Sequence, residues 1–171
     1  MAANDLNVSI SDVYKSIDDE ISSLLTKSIV DLFIEHGLTY KIRMGYGNIY
    51  RIFCFIKKSK EALIINSIGK KFGPFEIQIR IKNKTSLDKL NSYSENIRDH
   101  ILNGNDCRMP HCCNCGKEYV FRYFDKAYRK CNMLCDNFYF RNLKLEDIDS
   151  IMDIVKNEID FDMPQKRCYV V

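Results

Sequence analysis

Tryptophan is absent, histidine occurs three times, and neither sign of charge dominates in this 171-residue chain, whose formal net charge is +3. Without Trp, aromatic contact falls to ten Tyr and ten Phe, and Tyr keeps a polar tip while burying an apolar ring. A charge so near zero argues against a protein that holds nucleic acid mainly by electrostatics, which would carry a stronger basic excess. No apolar run approaches the ~20 residues of a membrane-spanning helix, so no membrane segment is expected. The opening MAANDLNVSISD shows no basic stretch leading into an apolar one. No secretory signal is therefore visible, and a cytoplasmic location is expected. Neither an internal repeat nor a low-complexity stretch interrupts the chain.

Catalytic signatures are missing too. There is no H-E-x-x-H, no G-x-S-x-G and no G-x-x-x-x-G-K-[ST]. His36 stands before Gly37 as a helix-end residue. His100 follows Asp99 on a helical stretch and reads as an exposed or satisfied side chain, and His111 adjoins a cysteine cluster. Gly45-Tyr46-Gly47 and Gly69–Gly73 read as hairpin turns better than as phosphate cradles. Nothing nominates an enzyme.

What the chain has in quantity is cysteine. Cys107, Cys112, Cys113, Cys115, Cys131 and Cys135 put six of eight within 29 residues. Cys112 and Cys115, followed by Gly116, have the spacing of a zinc knuckle, whose tight turn aims two thiolates at one point. Cys131 and Cys135 follow, and the array C-x2-C-x15-C-x3-C is close to a four-cysteine zinc spacing. Between the pairs, EYVFRYF-DKA-YRK reads as a hairpin turning near Asp125. So short a hairpin cannot bury a core, and tetrahedral coordination would supply the missing stability, since metal binding here is folding free energy. The economical ligand set is Cys112, Cys115, Cys131 and Cys135, with Cys107 or Cys113 as alternates and His111 as a less suitable substitute. Iron or an iron–sulfur cluster would suit the same thiolates. A site this rich in thiolates has little reason to keep an open position, so a structural Zn²⁺ is expected. Four thiolates and one zinc would change the net charge from +3 to about +1. Cys54, inside a doubly apolar run, reads as buried and inert. Cys168, four residues from the end, fits the length of a prenylation signal, but terminal Val171 is atypical and a stray tail cysteine is the simpler reading.

Periodicity supplies the rest. Residues 9–37 read as helical, with Ser9 or Ser11 capping a short first turn and Asp12 three beyond Ser9 in a capping-box-like arrangement, a stripe of Ile21, Leu24, Leu25, Ile29, Leu32 and Phe33, and a stop at His36-Gly37. From Leu38 the period becomes two, and runs at 38–44, 49–56, 62–68 and 75–82 read as four strands of an antiparallel meander with the second and third central. Residues 86–103 look helical and Gly104 ends them. FYFRNL (138–143) reads as a possible fifth strand, and Glu146-Asp147 open a last helix with Ile148, Ile151, Met152, Val155 and Ile159 on one stripe. From Asp160 the tail is polar and expected to be loosely held.

Lys41, Arg43, Arg80 and Lys82 fall on the polar sides of strands one and four, and Arg51 shares a side with Phe53 and Phe55. If the parities coincide, one face around Arg43, Arg51, Phe53, Phe55 and Arg80 mixes cations and aromatic rings. That composition suits an anionic or aromatic ligand, or unpaired nucleic acid. A solvated face partly covered by the zinc-held hairpin is the plainer alternative, and the gap beneath such a cover would be the default pocket.

The stretch LTYKIRMGYGNIYRIFCFIKKSKEALIINSIGKKFGPFEIQIRI resembles small bacterial α+β domains of unknown function related to the frataxin-like iron-chaperone fold. YRKCNMLCDNFYFRNLKLEDIDSIMDIVKNEI looks like the C-terminal part of hypothetical bacterial proteins with a cysteine-rich insert. The resemblance covers about half of the chain. It implies a helix before an antiparallel sheet and a C-terminal helix packing back, and it carries no functional residues, because no acidic iron-binding ridge is present. The expected architecture is α+β: an antiparallel sheet of four or five strands flanked by helices, with an inserted zinc-ribbon-like hairpin. Residues 1–104 and 137–171 would form one compact domain, and 105–136 the insert. The leading functional expectation is a non-enzymatic module binding a small ligand or a protein partner. Metal handling or thiol sensing is the alternative, and single-stranded nucleic-acid binding a second one.

Overall fold

The computed structural model describes residues 9–17, 19–44, 50–57, 60–67, 75–104, 118–131 and 137–162. Helix α1 (Ile10–Ser16) begins with the expected box: Asp12 N–H donates to the Ser9 hydroxyl, and Ser9 N–H to the Asp12 carboxylate. The single helical stretch expected over 9–37 is in fact two helices. Ile17 is extended, and Asp19 caps α2 (Glu20–Glu35) anew by accepting from Ser22 N–H at 2.7 Å. An Asp side chain that can satisfy a nearby N–H competes with helix continuation, which is why the break falls here. Along α2, Leu25, Ile29, Leu32 and Phe33 are buried with Val30, whereas Leu24 points outward. Gly37 closes the helix at φ 64, a left-handed conformation that strains any residue with a Cβ.

The meander follows: β1 (Thr39–Met44), β2 (Tyr50–Lys57), β3 (Lys60–Ser67) and β4 (Glu76–Arg80). The fifth strand is β7 (Asn137–Arg141), which pairs antiparallel with β4, so the order is β1-β2-β3-β4-β7 and β4 is interior as well. Register is fixed by burial. Ile52, Cys54, Ile56, Leu63, Ile65, Ile77, Ile79, Phe138 and Phe140 all point to one face and enter the core. A one-residue slip in any strand would send its whole apolar set to the other side.

Helices cover that inner face. The segment expected as one helix over 86–103 is α3 (Lys84–Asp88), a 3₁₀ turn (Leu90–Ser92) and α4 (Glu95–Asn103), with Ser94 as a fresh N-cap. The last helix, α5 (Ile148–Asp162), continues past Asp160, where a loose tail was expected to start. Its Ile151, Ile154, Val155 and Ile159 pack with α2 and the inner strands. Two buried carboxylates pin the layers together. Glu158 accepts from the backbone N–H groups of Lys82 and Asn83, both at 2.9 Å, and so ties the end of β4 to α5. Asp147 accepts from the Ser94 hydroxyl, from Asn96 Nδ2 at 2.7 Å and from Lys144 N–H at 2.8 Å. Each satisfies donors that would otherwise be buried without partners.

A separate two-stranded sheet, β5 (Glu118–Tyr123) and β6 (Lys126–Cys131), is the hairpin expected around Asp125. Phe124 takes the turn at φ 49. Lys130 attaches the hairpin to the main body: its buried Nζ donates to the Leu102 carbonyl at 2.7 Å, at the negative end of α4. The fold is α+β, with a five-stranded antiparallel sheet, a two-stranded sheet and flanking helices.

Candidate functional site

Because side chains alternate along a strand, the residues that do not enter the core share the outer face. The register sets them in rows. Lys41, Phe53, Ile64, Gln78 and Tyr139 are successive partners across all five strands, and Arg43, Arg51, Asn66, Glu76 and Arg141 form the next row. Phe55 lies opposite Thr39, one row beyond Phe53. The parities of β1 and β2 therefore coincide, and Arg43, Arg51, Phe53 and Phe55 are neighbours. Arg80 lies on the same face but two strands away, half-buried beside the end of β7.

The rings on β2 are half-buried, and cations from β1 lie over them. The Arg43 guanidinium carbon is 5.2 Å from the Phe53 ring centre, and Lys41 Nζ is 5.9 Å from that of Phe55. Such contacts stabilise by ~0.5–1 kcal/mol at exposed positions. Arg43 and Arg51, however, are directly opposed like charges, an arrangement that destabilises a strand pair. Among the described residues, no carboxylate lies within ion-pair distance of Lys41, Arg43 or Arg51. Further along that row Glu76 is engaged by the Arg141 guanidinium. Positive charge thus goes uncompensated at the β1–β2 end and is neutralised at the β7 end.

At the β7 edge an open cavity of about 510 Å³ is lined by Asn96, Asp99, His100, Asn103, Tyr139 and Arg141. His100 is the satisfied helix histidine that the sequence suggested. Its Nδ1 lies 2.8 Å from the Asn96 carbonyl, which can only accept, so Nδ1 carries the proton. Nε2 then accepts the backbone N–H of Arg141 at 3.3 Å, and α4 thereby covers part of a free strand edge. No sequence signal joins residues 41 positions apart in this way. Nor does any sequence signal point to this cavity at the β7 edge, and the gap expected beneath the cysteine-rich insert lies largely outside the described residues. Gly104 borders the cavity, and a Cβ there would lie 2.7 Å from the His100 carbonyl oxygen.

No family model, curated protein or solved structure matches this chain. Its residues must speak for themselves.

Of the cysteines, Cys54 is fully buried on β2, and burial pushes its thiol well above the ordinary range, which makes it a poor nucleophile. Cys131 is the last residue of β6, paired with Glu118 at the open end of the hairpin. Cys107, Cys112, Cys113, Cys115 and Cys135 lie outside the described residues, as do His111 and Cys168. Among the described residues, no three His, Cys, Asp or Glu side chains converge as a metal site. No described helix is long and apolar enough to cross a membrane.

Proposed function

We propose that the protein is a non-enzymatic binding module that takes an anionic ligand on the outer face of its sheet, around Arg43, Arg51, Phe53, Phe55 and Arg80. One observation carries this reading: Arg43 and Arg51 face each other without a carboxylate among the described residues. A like-charge pair that costs stability is retained where the charge has a use, and a bound anion turns the repulsion into a two-cation clamp. Phe53 packs under Arg43 of the clamp, and Phe55 packs under the neighbouring Lys41.

A structural Zn²⁺ held by Cys112, Cys115, Cys131 and Cys135 completes the proposal. The hairpin register supports it. Cys131 lies opposite Glu118, and Glu118 follows Cys115 by three residues while Cys131 precedes Cys135 by four, so both cysteine pairs flank the same end of one ladder. The ion would lock that end, leaving the turn at the other.

Opposite effects on stability and on binding test the clamp. Arg51→Thr is expected to stabilise the ligand-free protein by ~0.2–1 kcal/mol in a denaturant melt, because it removes the repulsion. The same substitution should weaken binding of inorganic polyphosphate in a titration, and Arg43→Thr/Arg51→Thr should abolish it. Loss of stability together with unchanged polyphosphate binding would overturn the proposal.

A further inference from the structure

We infer that the anion is a single-stranded nucleic acid, laid across the strands along the row Lys41–Phe53–Ile64–Gln78–Tyr139. This rests on the anion-binding reading above and adds what that reading leaves open, the class of ligand. The row offers two aromatic side chains, Phe53 on β2 and Tyr139 on β7, three strand spacings or about 14 Å apart. Between them lie Ile64, half-buried and apolar, and Gln78, an amide able both to donate and to accept. Two aromatic rings with an apolar side chain and a hydrogen-bonding amide between them suit unstacked bases, whose faces need a platform and whose edges need partners.

Backbone charge has its counterpart at one end only. Lys41 and Arg43 are two residues apart on β1, ~6.8 Å along the strand, and Arg51 sits opposite Arg43, so three cations border the Phe53 platform. The guanidinium over Phe53 belongs to the same design, because a planar cation on a ring is itself a surface on which a base can stack. An acidic peptide would satisfy the cations but leave the aromatic row unused. A duplex would hide its base faces from the platforms. The modest net charge of +3 fits as well, since stacking contributes affinity that charge need not supply.

The test is fluorescence anisotropy of labelled single-stranded DNA and RNA dodecamers, with unlabelled duplex, inorganic polyphosphate and polyglutamate as competitors. Single strands are expected to bind with a salt slope near −2, about 0.7 per neutralised phosphate. Polyphosphate should compete more weakly than either single strand. Tyr139→Ala should weaken oligonucleotide binding about 5- to 150-fold and leave polyphosphate binding unchanged, and Phe53→Leu should weaken oligonucleotide binding by a larger factor than it weakens polyphosphate binding. Leu retains apolar bulk under Arg43, and Tyr139 is 39% exposed, so both variants should fold; thermal melts check this. Equal competition by polyphosphate, polyglutamate or duplex, with no effect of the aromatic substitutions, would overturn the inference and leave the anion clamp standing. Failure of every anion to bind at low salt would overturn both.

Discussion

At the scale of single residues, the informative groups are those whose surroundings set their charge. Burial alone would raise the Asp153 carboxyl, but the Lys89 ammonium at 3.0 Å and the Tyr93 hydroxyl at 3.0 Å more than offset it and hold it below the ordinary carboxylate range. A carboxyl whose pKa is lowered by folding contributes stability above its unfolded value of about 3.9, and that contribution disappears as pH falls through the folded value. Tyr93 is shifted the other way, upward, first by burial and then by the bond to Asp153. Its contribution is present below its unfolded value near 10 and is lost as pH rises further. Melting temperature should therefore decline below about pH 4, and Asp153→Asn should flatten that decline while lowering stability near neutrality. An unchanged acid limb in the variant would show that the Lys89–Asp153–Tyr93 cluster does not govern it. At this scale the sequence was a partial guide. Cys54 could be read as inert from the apolar run around it, but nothing in the order of residues joins Tyr93 to Asp153, because packing of α5 brings them together.

Among elements, the strands were legible and the helix breaks were not. Alternation is local and marks the first and fourth meander strands, the second and third stand out as short runs apolar on both faces, and short connections imply the order. FYFRNL could be suspected as a strand, yet its place beside β4 depends on a connection that runs through α3, α4 and the hairpin. The breaks after Ser16 and around Tyr93 turn on the capping side chains Asp19 and Ser94, short polar residues that also occur within helices. The Glu158 link is a further case that periodicity cannot reveal, since a glutamate on an amphipathic helix reads as solvent-facing. Glu158→Ala is expected to cost about 3 kcal/mol, because it strands the Lys82 and Asn83 N–H groups next to the core. A guanidinium melt measures this directly, and a loss under 1 kcal/mol would mean that water replaces the carboxylate without difficulty.

For the whole molecule, two surfaces are built differently from one sheet. The inner face is a continuous apolar layer under α2, α4 and α5. The outer face is mixed: near β1 its cations have no carboxylate partner among the described residues, and near β7 Arg141 is neutralised by Glu76. Sequence alternation could supply the composition of that outer face, but only the register could show that Arg43 meets Arg51. The hairpin is joined to this body through buried Lys130 near its open end, and the proposed zinc would secure that same end, next to Cys131. Purified protein should accordingly contain close to one zinc per chain by elemental analysis. Chelation, or Cys131→Ser, should remove amide protection from 118–131 while the five-stranded sheet stays protected in hydrogen exchange. Metal-free protein with an equally protected hairpin would contradict the structural role.

The clamp on the outer face is the claim on which the function depends, and amide and guanidinium chemical-shift mapping during titration with inorganic polyphosphate tests it most directly. The account predicts the largest shifts at Lys41, Arg43, Arg51 and Phe53, saturating together, with the helix-covered inner face unmoved. Shifts confined to the helices or to the β7 edge, or none at any concentration, would contradict it.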